Sequence, residues 1–310
     1  MSGEPAEALR LDRAYVRRSF ERAAATYDDA AVLQREIGQR MAERLGVVKM
    51  QPATVLDAGC GTGVSLGELG ARYPEARLIG LDLALSMTLA ARGRAGAAAA
   101  STRSLLGRIL GPLAPARDLP PWCVCGDIAL LPFKSASVDL IWSNLALQWV
   151  GDPQQAFAEF RRVLRVGGLL SFTTFGPDTL KELRTAFLAA DRAAHVGAFI
   201  DMHDIGDMLV HAGFADPVMD METLTLTYDD AFALMRDLKA IGAHNAAASR
   251  PRGMMGRRRW QRMLGALETT RRDGRLPATF EVVYGHAWKS APRTTDDGSA
   301  IIRIEPRPRQ

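Results

Sequence analysis

The chain has 310 residues, 47% of them hydrophobic and 24% charged, which excludes a disordered polypeptide and allows one large core or a core plus a cap. No uncharged apolar run reaches the roughly 18 residues of a membrane span, and the opening MSGEPAEALRLDR lacks the apolar stretch of a secretory signal, so a cytoplasmic protein with no membrane partner is expected. A net charge of +4 is too mild to call for nucleic acid, and Cys60, Cys123 and Cys125 contain no CxxC spacing, so nucleic acid, metal and disulfide are all left unassigned.

Residues 16–45 read as helix, in one piece or two, because Phe20, Ala24, Tyr27, Leu33, Ile37, Met41 and Leu45 recur at three- and four-residue intervals. Lying before the first strand, this helix can fold over the strand ends, and residues 1–50 are assigned to a lid. Residues 51–289 form the main domain, with strands and helices alternating over 53–175 as in a parallel α/β sheet. The first strand runs into VLDAGCGTG, residues 55–63, where an apolar run ends in Asp57 and Gly59, Gly61 and Gly63 follow at alternate positions. Such glycines let the main chain turn tightly and approach a ligand at the mouth of the next helix, whose first N–H groups are free to donate.

The dinucleotide fingerprint needs glycines at i, i+2 and i+5, and the i+5 position from Gly59 is Val64, so that version fails. No Walker lysine follows, and Asp57 would repel a phosphate. A ligand bearing an ammonium and hydroxyls fits instead. A GxGxG loop preceded by a strand-end acid resembles motif I of the class I S-adenosylmethionine methyltransferases, with Cys60 inside the loop. RLIGLD, residues 77–82, ends in the acid expected to accept from ribose hydroxyls, Asp82, with Leu83 beside it. WCVCGD, residues 122–127, brings Asp127 and Ile128 to the position that in this family meets the adenine amino group and ring. The two cysteines of that strand share one face and are read as packing. VDLIWSNLALQW, residues 138–149, supplies a fourth strand whose exit, Ser143 and Asn144, falls beside the methionine part of the cofactor. Four polar strand ends on one sheet edge mark a ligand site at the carboxyl ends of the strands.

Residues 93–121, rich in Ala, Gly and Pro, read as a surface insertion. Residues 167–175 form a fifth strand after a helix that ends at the glycine pair. A helix then starts with Asp178 as its cap, a second spans residues 202–214 and closes at Gly213, and a sixth strand covers 217–228. Two helices within 229–276 form a cap before the last strand, 278–289, and residues 290–310 are expected to be a disordered tail. The fold class is thus α/β: a Rossmann-like, mostly parallel seven-stranded sheet with helices on both faces. Arg250, Arg252, Arg257, Arg258 and Arg259 create a local positive field suited to an acidic partner.

Residues 17–289 resemble the malonyl-[acyl-carrier protein] O-methyltransferases of biotin synthesis through RRSFERAAATYDDAAVLQRE, VLDAGCGTG, SNLALQW, FTTFGPDTLKEL and MRDLKAIGAHN. The resemblance implies methylation of the free carboxylate of a malonyl thioester, with S-adenosylmethionine as donor, S-adenosylhomocysteine as product and an acidic acyl-carrier protein as partner. Methylation masks a charge, so that fatty-acid elongation enzymes accept the chain as a primer. Tyr27, Lys239 and His244 are candidates, by position, for holding the substrate carboxylate, and Gln34 and Arg35 for reaching the methionine end of the cofactor. The five arginines are candidates for the carrier-protein rim. Two alternatives stay open. DTLKELRTAF, MHDIGDMLVHAGF and PATFEVVYGHAWK also resemble the methyltransferase-fold complex I assembly factors thought to hydroxylate an arginine, and another small acceptor for methyl transfer is the other.

Overall fold

A computed structural model describes residues 11–102, 120–251, 253 and 255–291. Three helices open the described chain: α1 (Arg13–Ala23), α2 (Tyr27–Ala30) and α3 (Val32–Arg44). The helix expected over 16–45 in one piece or two is in three, and the breaks have a tertiary cause. Asp28 on α2 accepts from Thr62 in the glycine loop and pairs with Arg94, which draws this turn off the helix axis. On α3 the face carrying Leu33, Ile37 and Met41 is buried against the sheet. Each such side chain contributes roughly 1.5–3 kcal/mol of apolar burial.

The sheet strands are β1 (Thr54–Ala58), β2 (Arg77–Asp82), β3 (Trp122–Cys125), β4 (Val138–Ser143), β5 (Leu164–Phe175), β6 (Ala215–Tyr228) and β7 (Leu276–Trp288). Their order is β3-β2-β1-β4-β5-β7-β6, with the first five mutually parallel and β7 antiparallel to both neighbours. This is the expected mostly parallel seven-stranded sheet. The helices α4 (Val64–Arg72), α5 (Leu85–Thr102) and α6 (Pro153–Val163) connect the parallel strands. Two core clusters lie on opposite sides of the sheet, one joining α3 to Leu183, Leu234 and Met263, the other joining Phe157, Phe160 and Phe172 to Ile205 and Leu209. Because β1 to β4 run parallel, their carboxyl ends meet at one edge, as the polar strand ends imply.

Several boundaries differ from the sequence reading. The α6 helix ends at Val163 and β5 begins at Leu164, so the glycine pair lies inside the strand rather than at a helix end. A register irregularity between β4 and β5 accommodates Gly167 at φ 78°. The helix α7 (Lys181–Leu188) starts from Leu180 and Asp178 does not cap it; the Asp178 carboxylate pairs with Lys181 and its N–H donates to Glu281. Helix α8 (Met202–His211) closes near Gly213 at φ 84°, and α9 (Ala231–Ala240) and α10 (Arg257–Glu268) lie between β6 and β7. The α5 helix continues through Thr102, so the first part of the proposed 93–121 insertion extends a helix; residues 103–119 lie outside the described residues, as do 292–310 of the expected tail.

Candidate active site

At the edge where β1 to β4 end, a cavity of about 190 Å³ runs from the glycine loop to an apolar chamber beneath α9. Its near end is lined by Gly59, Gly61, Asp82, Leu83, Asp127 and Ile128, and its floor by Asn144. A smaller compartment on the other side of the loop holds Asp57, Cys60 and Arg35, and shares Tyr27, Gln34, Gly59, Gly61 and Asn144 with the first. The sequence-predicted cofactor residues are thus brought together with one exception. Gly63 lines neither compartment: at φ 82° it is the N-cap of α4, and a Cβ there would lie 2.8 Å from that of Ala91, so it serves the packing of α4 against α5. Gly59, at φ 91°, lines both compartments, and a Cβ there would meet that of Ala146 at 2.4 Å.

Electrostatics identify the kind of ligand. Asp57 is buried, its Oδ2 has no hydrogen-bond partner, and its carboxyl is pushed up to about 8 by burial and then by the charges of Asp82 and Glu68. Gln34 Oε1 is likewise buried without a partner in the same compartment. Two orphaned acceptors facing one space call for a donor, and an ammonium satisfies both. Burial pushes Asp82 up to about 6, against the lowering effect of the Ala84 and Gly61 amides, which donate to it at 2.8 and 2.9 Å. Asp127 Oδ1 accepts from the Ala129 amide at 2.8 Å, and its Oδ2 lies 2.6 Å from Arg13 Nε on α1. Neither lysine nor arginine is found among the described residues lining the main cavity, and Arg35 in the smaller compartment is spent on the Asp28 carbonyl. Such a site favours a cation over a phosphate.

Asn144 is held in place on both sides: its amide donates to the Gln34 carbonyl at 2.9 Å, and Thr173 donates to its oxygen at 2.7 Å. Ser143 is spent on the Ala58 carbonyl. Tyr27 sits over the glycine loop, 3.8 Å from where a Gly61 Cβ would stand, and burial together with Asp82 and Asp28 pushes its hydroxyl up. That places it against the cofactor loop. Phe20 and Trp149, edge to face at 5.2 Å between centroids, form part of the cavity wall. Among the described residues no group of His, Cys, Asp and Glu could hold a metal ion, and Cys125 is exposed, so the packing reading of the CxC pair fails for that residue.

One candidate for the substrate carboxylate and one for the carrier-protein rim are corrected. Lys239 is exposed on α9 and does not line the cavity, because the apolar face of α9 carries Leu238 inward instead. Arg250 is spent within the protein: it pairs with Asp12 at 3.0 Å, donates to the Ala247 carbonyl and stacks 4.0 Å over the Tyr15 ring. Its side chain is 14% exposed, so it cannot belong to a docking rim. Arg252 lies outside the described residues. Arg257, Arg258 and Arg259 are exposed on the first turn of α10, and His244 lines the cavity. Sequence reasoning missed His195, which lines the far end beside Val196 and Phe199 and bonds Asp191 through Nε2 at 2.8 Å. The D-x-x-x-H spacing of that pair was its visible signal.

A "Methyltransferase domain" family model matches residues 56–172. A protein of Laribacter hongkongensis named malonyl-[acyl-carrier protein] O-methyltransferase is 57% identical over 303 residues, covering 97% of this chain and 98% of its own. One of the same name from Gallionella capsiferriformans is 52% identical, covering 94% and 96%. The chain belongs to the malonyl-[acyl-carrier protein] O-methyltransferase family. Among solved structures, the YcgJ protein of Bacillus subtilis matches with a TM-score of 0.51 at 17% identity, covering 81% of this chain and 98% of its own. A Bacillus halodurans C-125 protein gives 0.52 at 17% identity, covering 81% and 99%; both likenesses concern the fold alone. Members of this family are S-adenosylmethionine-dependent methyltransferases, and this enzyme uses that cofactor. The orphaned Asp57 and Gln34 oxygens fit its ammonium, and Asp82 fits its ribose.

Proposed function

We propose that this enzyme methylates the free carboxylate of a malonyl group carried as a thioester on acyl-carrier protein, an early step of biotin (pimeloyl) synthesis. The observation that carries the reading is the single cavity that joins the acidic cofactor end to an apolar chamber under α9. Bound at the near end, S-adenosylmethionine supplies an electrophilic methyl on a positive sulfur. The protein's task is alignment and exclusion of water, since a carboxylate is already ionised at pH 7 and needs no general base. Asp57, Gln34, Asp82 and Asn144 would fix the cofactor, Asp127 and Ile128 the adenine, and Leu180, Leu183, Phe199 and Phe280 would surround the thioester arm.

Among the described residues, Arg257, Arg258 and Arg259 are the remaining candidates for the carrier-protein rim. Cations on the first turn of a helix oppose its macrodipole, so these residues do not serve α10 itself. Arg259 Nη1 lies 3.6 Å from Asp191, the partner of His195 at the cavity wall, so this positive turn stands beside the chamber. An acidic carrier delivering its acyl group there gains steering from that field. The hydroxylase-like assembly-factor reading is not favoured, since relatives 52–57% identical over nearly the whole chain carry the methyltransferase name. The test is incubation with labelled S-adenosylmethionine and malonyl-acyl-carrier protein, scored as methyl ester; cofactor binding without ester formation would overturn the reading.

A further inference from the structure

A malonyl thioester brings a negative charge into an apolar chamber, which is costly unless a fixed cation or donor meets it. Among the described residues lining the cavity, the only basic side chains are His195 and His244. They differ in surroundings. His244 is pushed below the ordinary imidazole value by burial, then by the charges of Lys239 and Arg22, so its environment opposes a cation. His195 has a carboxylate partner, Asp191, which also accepts from the Ala193 amide at 3.0 Å. The hydrogen bond from His195 is the first cause holding the Asp191 carboxyl below its ordinary value, so Asp191 stays ionised beside the ring.

The ring is also fixed mechanically. It stacks on Phe187 at 4.3 Å between centroids with a 13° interplanar angle, and its side chain is 14% exposed. On its outer side a groove of about 390 Å³ carries Arg184 and Arg192, and residues 195–199 line both the groove and the cavity. The charged groups around the pair include Asp191 and Arg192 on its own segment, Arg184 on α7, and Arg259 and Arg262 on α10, the last donating to the Ala190 carbonyl at 3.0 Å. Arg184 is committed to the Pro177 and Thr179 carbonyls. With Nε2 bonded to Asp191, Nδ1 is the polar atom left to meet an anion, and it can do so only as an N–H.

Resting on the malonyl reading above, we propose that His195, oriented by Asp191, binds the substrate carboxylate and selects acyl groups that carry a free acid. A ring that already donates to one carboxylate attracts a second only moderately, which leaves the substrate oxygen electron-rich while it is held. The neutral methyl ester loses most of this attraction and is released. Asp191 is a positioning residue: it fixes the ring without touching substrate.

The test compares malonyl-pantetheine with acetyl-pantetheine binding to the enzyme saturated with S-adenosylhomocysteine, for wild type, H195Q and D191N, by titration calorimetry. Wild type should prefer the malonyl thioester; H195Q should bind it about 10- to 100-fold more weakly, D191N several-fold more weakly, with acetyl-pantetheine and S-adenosylhomocysteine unchanged in both. Unchanged cofactor binding certifies the fold of each variant. A wild-type preference that survives intact in H195Q overturns the role of His195 and leaves the functional reading standing. No preference in wild type overturns both.

Discussion

Arg13 on α1 reaches Asp127 beyond the end of β3, with Nε 2.6 Å from Oδ2. The acid expected to face adenine is therefore tied to the N-terminal helix, and cofactor affinity should register the loss of that tie. The Arg13 side chain is 65% exposed, so the pair contributes about 0.2–1 kcal/mol at most. R13A should raise the dissociation constant for S-adenosylhomocysteine by about two- to fivefold, measured by calorimetry at low salt, with the difference shrinking as salt is added.

Asp57 offers a pH signature. Its carboxyl stands at about 8 in the ligand-free fold against 3.8 ordinarily, so between those values the folded chain holds a proton that the unfolded chain has released. Stability contributed through this group is therefore lost as pH rises from about 4 to about 8. D57N should flatten that part of the melting-temperature profile and raise the ligand-free melting temperature at pH 8. In wild type, cofactor affinity should climb from pH 6 to 8 as Asp57 ionises. D57N should bind about 10- to 100-fold more weakly at pH 8, as expected for a lost charged hydrogen bond.

Gly59 holds the main chain in a left-handed turn packed against Ala146 at the wall of the cofactor cavity. G59A must adopt φ 91° and place its Cβ 2.4 Å from that of Ala146. The backbone strain alone costs about 1–3 kcal/mol. A lowered melting temperature and at least about tenfold weaker cofactor binding are expected, and a variant that melts like wild type would contradict the geometry.

For the carrier protein, charge reversal of Arg257 and Arg258 should raise KM for malonyl-acyl-carrier protein and spare malonyl-pantetheine. Neither residue lines the cavity, so kcat on the small thioester should stay unchanged. Steady-state kinetics at two salt concentrations checks this: the variant should lose most of the salt dependence. Equal effects on both substrates would argue against docking at α10.

The cofactor end was legible in the sequence because each strand there is a short apolar run ending in a polar residue, and parallel strands bring those ends together by construction. Asp57 and Asp82 follow from that rule, and the family resemblance adds the roles of Asp127 and Asn144. The far end was not legible, since its walls come from segments without periodicity. His195 lies in the irregular stretch between α7 and α8, and which of Leu238 and Lys239 faces the cavity is set by how α9 packs. Periodicity continued through residues 24–31, so it could not reveal that Asp28 would be drawn to Thr62. Arg250 read as part of a basic cluster because its partners, Asp12 and Tyr15, are more than two hundred residues away in sequence.

The α1 segment touches both walls of the cavity mouth. Asp12 is bonded to Arg250 after α9, Arg13 to Asp127, and Glu21 accepts the amides of Leu85 and Ser86 at the start of α5. Leu11, Val16 and Phe20 line the cavity between those ties. A ligand seated beneath them is covered by a segment tied to both walls, so loosening of the chain's first helix should speed its departure. Where that departure is slow compared with methyl transfer, turnover should respond to solvent viscosity.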